Sequence, residues 1–167
     1  MKISSEAIKE VRNRTSLGIL DCKDALTEAN GDVEKAIEIL KDRGLEVAES
    51  KTGRVTAGGI IEAYIHHTRR IGALVELNCE TDFVANTAEF KELARNLAMQ
   101  VTAMSPRFIT SDEVPKDSKL DPQSACLLLQ PFIKDPNKTI QQLIVEVIAK
   151  MGENIKVSRF SRFELAS

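Results

Sequence analysis

The side chains able to do covalent or metal chemistry are few, and their spacing suits neither. His66 and His67 are the only histidines. As neighbours in a strand pattern they point to opposite faces, which prevents joint chelation of one ion and makes them a solvated hairpin end. Glu80 and Asp82 have the types of an acid–base pair, but both stand beside a helix start, where carboxylates are favoured anyway. Cys79 ends a strand with its side chain inward by parity, and no histidine follows it in sequence to act as its base. Cys22, Cys79 and Cys126 are odd in number and far apart, with no CxxC pair. That excludes a disulfide framework and a cysteine zinc site, and fits a reducing compartment. Gly58-Gly59 lacks the context of a phosphate loop or dinucleotide fingerprint. No catalytic residue, metal or cofactor is expected.

Charge and hydropathy narrow the partners. Lys and Arg number 23 against 25 Asp and Glu, a net charge of -2, which argues against binding nucleic acid by bulk attraction to phosphate. Arg69-Arg70 makes a small basic spot at a hairpin tip, and Arg159 and Arg162 lie on a last strand. Acids are interleaved throughout and no aromatic pair flanks these bases, so direct nucleic-acid binding is not expected. The longest apolar run is five residues, whereas a membrane span needs about 20. Met1 through Glu6 lead into a helical pattern with no apolar signal-peptide core, so the expected location is the cytoplasm.

Two stretches look like recognition surfaces instead. Leu17-Gly18-Ile19-Leu20 places aliphatic side chains in a turn, and burial in a bundle accounts for only one or two of them. Asp82-Phe83-Val84 falls between a strand end and a helix start. Its Phe is either a staple pinning helix to sheet or an exposed aromatic anchor of the kind that dominates binding hot spots. Pattern alone leaves both open.

The elements that must position these stretches divide the 167 residues, 43% hydrophobic and only 4% aromatic, into two parts with aliphatic cores. Residues 1–50 read as a three-helix bundle of the ubiquitin-associated (UBA) type. Ser5 is the expected cap of its first helix, with Ile8 and Val11 on one face. Cys22, Ala25, Leu26 and Ala29 mark the buried stripe of the second, which Asn30-Gly31 ends. Asp32 caps a third with Val33, Ala36, Ile37 and Leu40 inward, and Gly44 is expected to stop it. Residues 51–58 read as a linker. Residues 59–167 read as an α+β core domain, a small three-stranded antiparallel sheet packed with helices. Ile61, Ala63 and Ile65 alternate with Glu62, Tyr64 and His66; after a turn, Ile71, Ala73, Val75, Leu77 and Cys79 alternate again, giving a hairpin with one apolar face. A long helix follows with Phe90, Leu93, Leu97, Val101 and Met104 on one stripe. The Pro-rich stretch 106–124 reads as a surface connection, and Ala125 through Leu129 as helical. Thr139 and Gln142 have capping-box spacing and open a helix with Leu143, Val147 and Met151 inward. Ile155 through Leu165 form the third strand, where a bulge would reconcile Phe160 and Phe163 with Ile155 and Val157.

Thr81-Asp82-Phe83-Val84-Ala85, preceded by Val75 through Glu80, resembles the signature of the elongation factor Ts family, the nucleotide exchange factors of translation. Arg14-Thr15, Gly18, Asp21 through Leu26 and Ala29 through Asp32 resemble that family's UBA-like N-terminal module. Lys150 through Ile155 is similar to the helix-to-strand junction of its core. Longer members carry two core units and a projecting helical hairpin; here one unit fits, and the stretch 106–124 is too short for the hairpin. The resemblance implies a non-covalent exchange factor whose partner is the GTPase elongation factor Tu in its GDP form. It assigns Thr81, Asp82, Phe83 and Val84 to displacing the Mg²⁺ of that partner, and Arg12, Ile19 and Leu20 to docking of the N-terminal module. A short chain with one core unit is further expected to supply a second unit from another copy, as a non-covalent homodimer. The rival reading is a UBA-type adaptor that binds ubiquitin or a peptide through Leu17-Gly18-Ile19, which leaves the Thr81 turn unexplained.

Overall fold

Ser4 rather than Ser5 starts the first helix. In the computed structural model, which describes residues 3–166, the Ser4 hydroxyl accepts a hydrogen bond from the Ala7 amide at 3.1 Å and α1 (Ser5–Thr15) follows. Met1, Lys2 and Ser167, which bound the two expected parts, lie outside the described residues. Gly18 then opens α2 (Ile19–Glu28), and Asn30 and Gly31 both take positive φ to reverse the chain. Asp32 accepts from the Lys35 amide at the head of α3 (Val33–Lys51).

The stripe residues meet as the 3.6-residue period requires. Val11, Cys22, Ala25, Leu26, Ala36, Ile37 and Leu40 form one buried cluster, with Ile8, Leu17 and Val33 packed around it. Arg14 bridges to Glu34 through two guanidinium nitrogens, one at 2.9 Å, tying α1 to α3. Gly44 does not stop the third helix. It is buried inside α3, which runs on to Lys51 with Ala48 also buried. A glycine inside a helix costs about 1 kcal/mol of propensity, which the burial of its neighbours along the same face overrides.

Residues 51–167 form a second compact unit, separate from 1–50. Its order is β1 (Gly58–Ile65), β2 (Ile71–Cys79), α4 (Asp82–Ala85), α5 (Ala88–Met104), α6 (Pro122–Ala125), β3 (Pro131–Phe132), β4 (Asp135–Thr139), α7 (Ile140–Met151) and β5 (Ile155–Glu164). The architecture is α+β, and its main sheet is three-stranded and antiparallel in the order β1-β2-β5.

The register of the first hairpin reverses the expected face of β1. Ile60, Glu62 and Tyr64 pair with Leu77, Val75 and Ala73, so they share the inner face. Ile61, Ala63 and Ile65 therefore lie outside and exposed, beside Leu74. The turn decides this: the His66 amide bonds the Ile71 carbonyl, Arg69 takes φ 56°, and Ile65 is set opposite Gly72. The polar inner residues of this edge strand find a partner on α5, where Arg95 stands 3.8 Å from Glu62 and 6.0 Å from the Tyr64 ring centroid. His66 and His67 lie beyond the strand, in the turn, with ring centroids 4.2 Å apart. Strand alternation therefore does not separate them.

Elsewhere the core corrects details. Phe90, Leu93, Leu97 and Val101 are buried beneath the sheet, whereas Met104 at the helix end is exposed. Ala125 through Leu129 split between α6 and a 3-10 turn, because Cys126 is extended and bridges to Phe108. The Thr139–Gln142 capping box is present, but the buried stripe of α7 is Ile140, Ile144, Val145 and Ile148. Leu143, Val147 and Met151 flank it, half-buried. β5 carries a bulge at Ser158, opposite the Glu76/Leu77 step. The extra residue brings Phe160 inward with Val157 and leaves Phe163 on the outer face, 70% exposed.

Candidate functional site: the Thr81 turn

Strand β2 is the rigid base of the site. Its Val75, Leu77 and Cys79 are fully buried, which fixes the point where the chain leaves the sheet. Burial pushes the Cys79 thiol above its usual value, with the nearby Glu153 carboxylate adding to the effect. The thiol donates to the Thr81 carbonyl at 3.2 Å. A buried, protonated sulfur is a structural group and not a nucleophile.

Thr81 then caps the single turn of α4. Its hydroxyl accepts from the Val84 amide at 3.4 Å. Val84 and Ala85 are buried, and the Val84 carbonyl accepts from the Thr87 hydroxyl at 2.7 Å, the same hydroxyl that caps α5 through the Phe90 amide. The Asn86 side-chain Nδ2 closes the turn by donating to the Asp82 carbonyl at 2.9 Å. Gly58 lies against the backbone from below: a Cβ there would come within 2.9 Å of the Thr81 carbonyl carbon. A side chain at that position would push the turn outward.

The consequence is a sharp division of faces. Val84 points into the core. Asp82 is exposed, and Phe83 stands 82% exposed at the apex of the turn. The staple reading of Phe83 is thereby excluded, since a staple must be buried. An aromatic this exposed on a turn braced by two caps is a presented side chain.

Residues that sequence reasoning did not assign to the site hold the turn in place. Glu153, between α7 and β5, accepts from the Glu80 amide at 3.1 Å, the Thr81 amide at 3.0 Å and the Thr81 hydroxyl at 2.6 Å. Glu80 in turn accepts from the Asn154 amide at 2.7 Å and lies 3.7 Å from Arg54. The available signal was Gly152-Glu153-Asn154 as a chain reversal, which gives no hint of its partner some 70 residues earlier. Among the described residues no group of three or more His, Cys, Asp or Glu could hold a metal ion.

In the N-terminal unit Ile19 and Leu20 occupy the first turn of α2, 53% and 74% exposed, and Arg12 is exposed on α1. Leu17, by contrast, packs into the bundle. The bundle thus absorbs one of the three aliphatic side chains.

A sequence model of the family described as Elongation factor TS matches residues 3–123. The chain belongs to the elongation factor Ts family. Elongation factor Ts of Fervidobacterium nodosum is 48% identical, covering 99% of this chain and 99% of that protein. The Thermotoga maritima factor is 49% identical over 99% of the chain and 97% of the relative, and that of Carboxydothermus hydrogenoformans 47% over 98% and 89%. A role as a translation elongation factor follows from this membership. The Fervidobacterium alignment spans 195 positions against 167 residues here, a difference of 28, so at least that many positions of elongation factor Ts have no counterpart in this chain.

Proposed function

We propose that the chain is a guanine-nucleotide exchange factor that binds elongation factor Tu·GDP and promotes GDP release. The observation that carries this reading is the exposed Phe83 at the apex of a doubly capped turn, on a member of the elongation factor Ts family. The partner holds GDP through Mg²⁺ and backbone contacts to phosphate, as phosphate-loop GTPases do. Phe83 inserts between side chains of the GTPase domain, while Asp82 and Thr81 keep the turn in shape and Val84 roots it in the core. The wedge shifts the elements that ligate Mg²⁺. Loss of the ion leaves phosphate charge uncompensated, and GDP dissociates.

Arg12, Ile19 and Leu20 dock the N-terminal module on the GTPase. Ile19 and Leu20 supply exposed aliphatic contact and Arg12 a charge. Linkage then requires reciprocity: a factor that weakens nucleotide binding is itself weakened equally by nucleotide, so GTP rebinding releases it. No covalent step is involved, and the work is done by binding energy alone. A homodimer through the outer sheet face, where Ile61, Ile65, Leu74 and Phe163 are exposed, would supply a second core unit. The site of action is the cytoplasm, with no part for membrane or direct nucleic-acid contact.

The test is release of fluorescent GDP from preloaded elongation factor Tu, with the chain at substoichiometric concentration and unlabelled nucleotide in excess. Turnover of many GTPase molecules per factor supports exchange. Release unchanged from the spontaneous rate overturns it.

A further inference from the structure

We propose that Glu153 is a positioning residue for exchange, aiming Phe83 by clamping the turn that carries it; the inference rests on the reading of Phe83 as the anchor. α4 is a four-residue helix, too short to hold its own shape, and Phe83 itself has almost no packing to fix its ring. Its direction is therefore set by how the turn is seated: Val84 and Ala85 hold its inner side in the core, and the backbone at Glu80 and Thr81 holds its entrance. Both of those amides donate to one oxygen of Glu153, and the Thr81 hydroxyl donates to the other. Bonds to a carboxylate are stronger than neutral ones, and three on one group leave little freedom at the entrance of the turn.

The clamp is also anchored from behind. Gly152 takes φ 73°, which ends α7 and turns Glu153 toward the loop. Asn154 then binds back, its amide to the Glu80 carboxylate at 2.7 Å and its side chain to the Arg54 carbonyl at 3.0 Å. Ile155 follows, buried in β5. Glu153 thus ties the entrance of the turn to the α7–β5 junction, the usual role of a supporting residue behind a working one.

The experiment measures GDP release from elongation factor Tu at saturating and limiting factor for wild type, Glu153→Ala, Glu153→Gln, Phe83→Ala and the double variant Glu153→Ala/Phe83→Ala. Glu153→Ala is expected to lower the saturating rate about tenfold, the equivalent of one lost bond to a charged group, with a smaller change in the half-saturating concentration. Glu153→Gln keeps an acceptor for the two amides and restores most of that loss. The double variant is no slower than Phe83→Ala alone, because the clamp acts through the ring. Fluorophenylalanine labelling adds a readout independent of activity: the ¹⁹F signal of Phe83 shifts or broadens in Glu153→Ala while that of buried Phe90 does not. A wild-type rate in Glu153→Ala beside a slow Phe83→Ala overturns the role of Glu153 alone. A wild-type rate in Phe83→Ala overturns the reading beneath it. Losses that multiply in the double variant show that Glu153 does not act through Phe83 and also overturn the proposal. Should Glu153→Ala fail to fold, Glu153→Asp keeps the charge but withdraws it by one methylene; it is expected to lose rate as Ala would, and a wild-type rate there is equally fatal.

Discussion

Replacing Phe83 with Ala removes a ring that is 82% exposed. A fully enclosed Phe buries about 200 Å², so roughly 40 Å² is at stake here, worth about 1 kcal/mol at 25 cal/mol/Å². The free variant should therefore melt within a few degrees of wild type. Phe90, fully buried beneath the sheet, is the internal comparison: Phe90→Ala should cost about 3–5 kcal/mol. Exchange should respond in the opposite order. Losing a hot-spot aromatic of 2 kcal/mol or more corresponds to roughly a thirtyfold slower GDP release for Phe83→Ala. Calorimetry gives the first quantity, and stopped-flow release of fluorescent GDP in excess Mg²⁺ the second. A stable Phe83→Ala variant that exchanges at the wild-type rate would leave the wedge without its residue. A variant that melts broadly would show that the ring is packed after all.

Further outcomes follow from the same geometry. Ile19→Asp with Leu20→Asp should weaken binding to elongation factor Tu by titration while leaving circular dichroism and melting unchanged, since both side chains face outward; loss of helical signal would make them core residues. Light scattering at about 50 µM, a concentration at which a standard-size interface associates, should give a dimer for wild type and a monomer for Phe163→Glu; a monomeric wild type contradicts dimerisation. Burial raises the thiols of Cys79 and Cys126 above their usual 9.0. The unfolded thiols therefore ionise first, so their contribution is complete below pH 9.0 and lost as pH rises past it. Urea melts on either side of pH 9.0 should show this decline, reduced in the Cys79→Ala/Cys126→Ala variant; an unchanged slope would contradict it.

Local signals carried the sequence reading where one element decides the outcome. The Thr139 capping box, the Asp32 cap and the buried stripe of α2 depend on neighbours within one turn, and they stand where the pattern puts them. The inner face of β1 depends instead on a turn that sets Ile65 against Gly72 and on Arg95 arriving from α5 to cover Glu62 and Tyr64. Neither is visible in the strand itself. Helix α3 passes Gly44 because packing outweighs propensity, and the short β3–β4 hairpin forms because Gln100, buried in α5, accepts from the Ile133 amide and donates to the Pro131 carbonyl. For the candidate site, the turn at Thr81 to Val84 between strand and helix was legible, but whether Phe83 was buried was not. That depended on which way α4 faces, and Glu153, remote in sequence, helps to fix it.

The dependence of exchange on free Mg²⁺ tests the displacement mechanism most directly. Chelating the ion should accelerate GDP release from elongation factor Tu without any factor, and the stimulation by wild-type chain, together with its margin over Phe83→Ala, should shrink toward none. Stimulation that persists undiminished when Mg²⁺ has been stripped would contradict the account, because the chain would then be expelling GDP without moving the ion.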